Sequence, residues 1–157
     1  MNIRTSLISQ KTIIKIFETF FRDITAIGGA PFFIMVELIL LSLREYQLFK
    51  QLLLGFIITL FVVVIIRLIY FKDRPLKQRY NSLLEKIDAS SFPSLHAARI
   101  IFLALTLAKF FQSITTMAVL LVTAVLISYS RIYLKKHDWI DVISGLVLGG
   151  VVYLILV

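Results

Sequence analysis

Ile114 to Asp141 reads ITTMAVLLVTAVLISYSRIYLKKHDWID. The first sixteen residues carry no charge, and the last twelve carry Arg131, Lys135, Lys136, His137, Asp138 and Asp141. An apolar run that ends this sharply fits a helix leaving a bilayer, with the chemistry placed where it emerges. His137 and Asp141 are four residues apart, so a helical segment would put them on one face. A carboxylate there can fix the histidine tautomer and leave the other ring nitrogen as a nucleophile or base. Arg131 adds a donor fork suited to phosphate. A solvated basic loop between membrane helices would explain the same residues.

Composition favours the membrane. Of 157 residues, 59% are hydrophobic and the mean hydropathy is +0.93. A soluble domain of this size has no interior large enough for so much apolar surface. The expectation is an all-α integral membrane protein with one domain over 1–157. The net charge of +8 sits in short loops beside apolar runs. This points to anionic headgroups or a phosphorylated ligand rather than nucleic acid. The absence of cysteine excludes disulfides and thiolate metal sites. The first 25 or so residues lack the compact apolar core and cleavage site of a signal peptide.

Five spans are expected, at 26–43, 51–71, 95–111, 114–129 and 139–157. Before them, residues 2–22 alternate Ile13, Phe17, Phe20 and Phe21 with Lys11, Lys15, Glu18 and Arg22, the pattern of an interfacial amphipathic helix. Glu37 interrupts the first span and is expected to face the bundle and find a hydrogen-bond partner. Residues 44–50 read as a polar turn. Residues 72–92 form the longest polar stretch, and a loop of that length is often functional. Gly145 and Gly149 form a GxxxG pattern read as close helix packing.

With five spans, three clusters share one membrane face: Arg67-x6-Arg74-Pro75, Pro93-Ser94-Leu95-His96, and Ser130-Arg131-x5-His137-x3-Asp141. Each has a plain explanation. Arg67 can snorkel, Ser94 can cap a helix, and a lone His96 at a helix start is commonly structural. Those explanations do not account for both histidines of the chain falling at span boundaries on one side, beside arginines.

In order and spacing the clusters resemble the type 2 phosphatidic acid phosphatase superfamily, which includes lipid phosphatases and vanadium haloperoxidases. Its signature is Lys-x6-Arg-Pro, Pro-Ser-Gly-His and Ser-Arg-x5-His-x3-Asp. The third motif is complete here; Arg67 replaces the lysine and Leu95 the glycine. The resemblance implies a metal-independent and cofactor-free lipid phosphatase. His137 would form a phosphohistidine, Asp141 would orient it, and His96 would act as general acid and then base. Arg67, Arg74, Ser94, the backbone at Leu95, and Arg131 would hold the phosphate. Arginine at 67 keeps the charge with a different reach, and leucine at 95 could intrude where glycine allows close approach.

The implied substrate is a lipid phosphate in the bilayer: polyprenyl diphosphate first, phosphatidic acid or phosphatidylglycerol phosphate next. The alternative is a non-catalytic lipid-phosphate binder on the same fold. A small transporter would instead run polar residues through its spans. Apart from the three motif arginines, eleven Lys/Arg lie on the motif side and three on the other. The positive-inside rule would put the motif side in the cytoplasm. The family places it on the extracytoplasmic face of the cell membrane, and that is the expectation adopted.

Overall fold

The computed structural model describes residues 3–157, with side chains from residue 12 onward. Of the expected interfacial helix, Asn2 and the side chains of 3–11 therefore lie outside the described residues. The regular elements of the described residues are all helices: α1 (Ile3–Ala26), α2 (Ala30–Ser42), α3 (Tyr46–Ile69), α4 (Leu83–Ala89), α5 (Leu95–Phe111), α6 (Ile114–Tyr133) and α7 (Trp139–Leu156).

Local chemistry sets most boundaries. Ser82, Ser94 and Ser113 each accept a hydrogen bond from the amide three residues on, capping α4, α5 and α6. Asp138 and Asp141 form a reciprocal capping box at the start of α7. α5 stops at Gln112, whose φ of 50° is left-handed. Gly28, Gly29 and Pro31 break the first apolar run, so α1 and α2 meet at a 45° bend.

α3, α6 and α7 are each long and apolar enough to span a bilayer, and the bent α1–α2 pair meets the same measure when taken as one span, so the expected five crossings stand as an approximate count. Alone, the 13 residues of α2 reach only about 20 Å against a hydrocarbon core of about 30 Å. The 17-residue α5 carries Arg99 and is the central helix of the bundle. Three expectations are corrected. α3 starts at Tyr46, so most of the supposed turn at 44–50 is helix. The 72–92 stretch contains α4. α6 runs on to Tyr133, so Ser130 and Arg131 are helical rather than in a loop.

α5 packs most extensively on α6 and α7, and next on α3. In lipid, association rests on close van der Waals contact more than on apolar burial, and glycines make that contact possible. A Cβ on Gly145 would lie 2.4 Å from the Ser94 carbonyl oxygen, and one on Gly149 would lie 2.1 Å from that of Ala98. The GxxxG face of α7 is therefore seated on the first two turns of α5. Gly55 of α3 likewise receives the fully buried Phe102 ring, 1.9 Å from where a Cβ would stand. Glu37 faces the bundle as expected, but its Oε1 has no hydrogen-bond partner. α1 leaves Ile13, Ile16, Phe17 and Phe20 exposed and packs Phe21 against Tyr129 and Tyr133 of α6.

The alternating helix directions bring the end of α3, the starts of α5 and α7, and the end of α6 to one end of the bundle. All three motifs lie there.

Candidate active site

His137 lies in the loop between α6 and α7 and is 2% exposed. Its Nδ1 is 2.7 Å from the Ser91 carbonyl oxygen. A carbonyl can only accept, so Nδ1 carries the proton and Nε2 keeps its lone pair. Burial lowers the His137 pKa below the usual histidine range, against the opposing pull of Asp141 and the Ser91 carbonyl. The ring is thus held neutral, with one nitrogen committed and one available.

Asp141 stands differently from its sequence expectation. The two residues do not share a helix: His137 precedes α7, and Asp141 is in its first turn. Asp141 Oδ2 is 3.8 Å from His137 Nδ1, beyond hydrogen-bond distance, and it accepts the Asp138 amide at 3.0 Å. Oδ1 accepts from Lys72 Nζ at 2.8 Å, and Lys72 also holds Asp138 Oδ2 at 2.6 Å. Asp141 therefore supplies negative charge near the imidazole while Ser91 fixes the ring. Burial opposes the Lys72 charge, but its bonds to Asp138 and Asp141 outweigh that and raise its pKa.

Backbone bonds join the motifs. The Ser94 amide donates to the Asp141 carbonyl at 2.9 Å, tying the start of α5 to that of α7. Ser91 N bonds Lys72 O at 2.8 Å, and Leu76 N bonds Lys135 O at 3.1 Å. Ser94 Oγ caps α5 through the Ala97 amide at 3.4 Å, so its structural reading holds. Leu95 opens α5 and is not among the residues with positive φ; the backbone there does not require glycine. His96 follows in the first turn, and Gly28 packs against it, 3.2 Å from His96 Cδ2 to a built Cβ.

The arginines are buried. Arg67 donates to the Ile87 carbonyl at 3.1 Å and to the Pro93 carbonyl at 3.0 Å, so it anchors the loop instead of snorkelling. Arg74 donates to Gln78 Oε1 and the Asp88 carbonyl; burial lowers its pKa, with Asp88 opposing. Arg131 donates to Thr25 Oγ1 of α1 at 3.0 Å. In each of the three the Nε has no acceptor. Three buried guanidiniums therefore converge with unpaired Nε donors, an arrangement suited to holding an anion. Among the described residues no three His, Cys, Asp or Glu are grouped to hold a metal.

The sequence alone did not reveal Lys72, Ser91 or Thr25. Ser91 acts through its backbone, which leaves no signal. Lys72 just past the second apolar run was a visible but unspecific cue.

A buried histidine beside converging guanidiniums, at one end of an apolar helical bundle, is suited to a phosphorylated ligand at a bilayer. The chain belongs to the PAP2 superfamily, whose profile matches residues 49–157. It is a multi-pass membrane protein and a phosphoric ester hydrolase of the lipid phosphatase class. The crystal structure of Aquifex aeolicus LpxE is similar at a TM-score of 0.75 and 25% identity, over 89% of this chain and 84% of that one. That of the first transmembrane PAP2 type phosphatidylglycerolphosphate phosphatase from Bacillus subtilis has a TM-score of 0.73. At 21% identity over 99% of this chain and 85% of that one, it supports the fold alone. No curated protein sequence matches the chain.

Proposed function

We propose that the chain hydrolyses a membrane lipid phosphate or diphosphate through a phosphohistidine on His137, without a metal ion. Polyprenyl diphosphate is the favoured substrate, with phosphatidic acid or phosphatidylglycerol phosphate next. The observation that carries the reading is the 2.7 Å bond from His137 Nδ1 to the Ser91 carbonyl, which frees Nε2 beside the buried arginines. Nε2 attacks phosphorus, and an N–P bond forms as the P–O bond to the leaving group breaks. His96 donates its proton to the departing oxygen. Water then attacks the phosphohistidine, gives a proton to His96 and releases inorganic phosphate, restoring His137. Arg67, Arg74 and Arg131, through their unpaired Nε groups, offset charge on the phosphoryl oxygens. Asp141, with Lys72 and Asp138, stabilises the imidazolium-like intermediate.

The test is phosphate release by purified protein in detergent with EDTA, on short-chain polyprenyl diphosphate and phosphatidic acid. Release that survives EDTA and disappears in His137→Ala supports the reading, and acid-labile phosphate on the parent protein identifies the intermediate. Binding without release would favour the non-catalytic alternative. For location, we place the site on the extracytoplasmic face of the cell membrane, following the family. The chain lacks cysteine, so Lys77→Cys in the exposed loop is a single reporter. Labelling of intact cells by an impermeant maleimide supports that side, and labelling only after lysis reverses it.

A further inference from the structure

We infer that Arg99 binds the phosphate group that stays with the lipid when a diphosphate is cleaved, and so selects lipid diphosphates over monophosphates. This rests on the phosphatase reading above and adds to it a residue outside all three motifs.

Arg99 follows His96 by three residues on α5, one turn further into the bundle on a neighbouring face. It is 7% exposed, and its Nε has no acceptor. Among the described residues no hydrogen bond or ion pair to its guanidinium is present, and none joins it to the buried carboxylate Glu37 of α2. Its partner is the Phe56 ring of α3, whose centroid lies 4.4 Å from Cζ. A cation–π contact offsets only part of the cost of holding a cation at membrane depth. The unpaired Nε is therefore a donor suited to an anionic group.

Arg99 stands one turn along α5 from His96, and its charge is felt at both His96 and Arg67. The tail of a lipid substrate extends toward the bilayer. Whatever lies between the transferred phosphoryl group and the tail must then sit on the bilayer side of His96, where Arg99 is. In a monophosphate ester that position holds an alcohol oxygen, which becomes neutral on leaving. In a diphosphate it holds a second phosphate, which leaves as an anionic monoester. Only the second kind of leaving group gives the Arg99 guanidinium an ionic partner.

The experiment compares kcat/KM for a short-chain prenyl diphosphate and the matching prenyl monophosphate in the parent, Arg99→Gln and Arg99→Lys. In Arg99→Gln the diphosphate-to-monophosphate ratio should fall by about tenfold to a hundredfold, the range of one charge-assisted hydrogen bond. Arg99→Lys should recover part of it. Equal losses on both substrates, or an unchanged ratio, would overturn the assignment. A parent that cleaves the monophosphate alone overturns it while leaving the phosphatase reading intact; a parent that cleaves neither sinks the phosphatase reading first. Should Arg99→Gln fail to fold, competitive inhibition of the parent decides. Methylene diphosphonate must bind at least about tenfold more tightly than phosphate, and equal affinities refute the proposal.

Discussion

Gly145→Ala tests whether the seating of α7 on α5 sets the geometry of the site. The added Cβ would lie 2.4 Å from the Ser94 carbonyl oxygen and 3.1 Å from the Ala97 Cβ. The nearer atom is backbone, so no side chain can swing aside. Ordinary contact begins near 3.4 Å, so the first turns of the two helices must part by about 1 Å. The same movement strains the 2.9 Å bond from Ser94 N to the Asp141 carbonyl. Overpacking costs about 1–3 kcal/mol and the weakened bond about 1 kcal/mol, against about 0.5–1 kcal/mol gained by replacing glycine inside a helix. A net loss of about 2 kcal/mol is expected. Displacing His96 relative to His137 by about 1 Å should cost about a hundredfold in kcat/KM. Phosphate release and thermal unfolding in detergent measure both. Gly150→Ala is the control, because nothing lies within 4 Å of its added Cβ. Parental activity and melting in Gly145→Ala would refute the reasoning.

Other changes separate the remaining roles. Lys72→Met removes the cation that holds Asp138 and the fully buried Asp141. It should cost about 2 kcal/mol and at least about tenfold in kcat, with Lys72→Arg recovering most of the stability; a neutral Lys72→Met would show that the carboxylates need no counter-charge. Leu95→Gly should fail to raise activity and should lower stability by about 0.5–1 kcal/mol, because position 95 is already helical with an ordinary φ. A gain of tenfold or so would instead mean that the leucine side chain obstructs the substrate. The pH dependence follows from burial of His137. In the unfolded chain this imidazole takes up its proton near 6.5, and in the fold only at lower pH. The unfolded state therefore binds more protons across that window, and stability should fall as pH drops below about 6.5. The slope should flatten in His137→Gln; an identical slope there would assign it to another group.

The membrane class, the helical architecture and the grouping of the motifs were legible in the sequence. Each follows from local facts: apolar run length, charge placed at run ends, and fixed spacing of a few chemical groups. The capping role of Ser94 was legible for the same reason. The 45° bend between α1 and α2 was not, because whether Gly28, Gly29 and Pro31 bend a helix or merely loosen it depends on what α1 and α2 pack against. Only the tertiary structure decided which groups hold His137. Spacing pointed to Asp141, but the fold gives the close bond to the Ser91 carbonyl, 46 residues away in the chain, and gives Asp141 to Lys72. Backbone carbonyls look alike in every sequence, and long-range ion pairs depend on which helix ends meet. Arg99 makes the same point. Counted along the chain it is one more basic residue on the motif side; folded, it is a buried cation against the Phe56 ring, because α5 rather than the solvent determines what surrounds it.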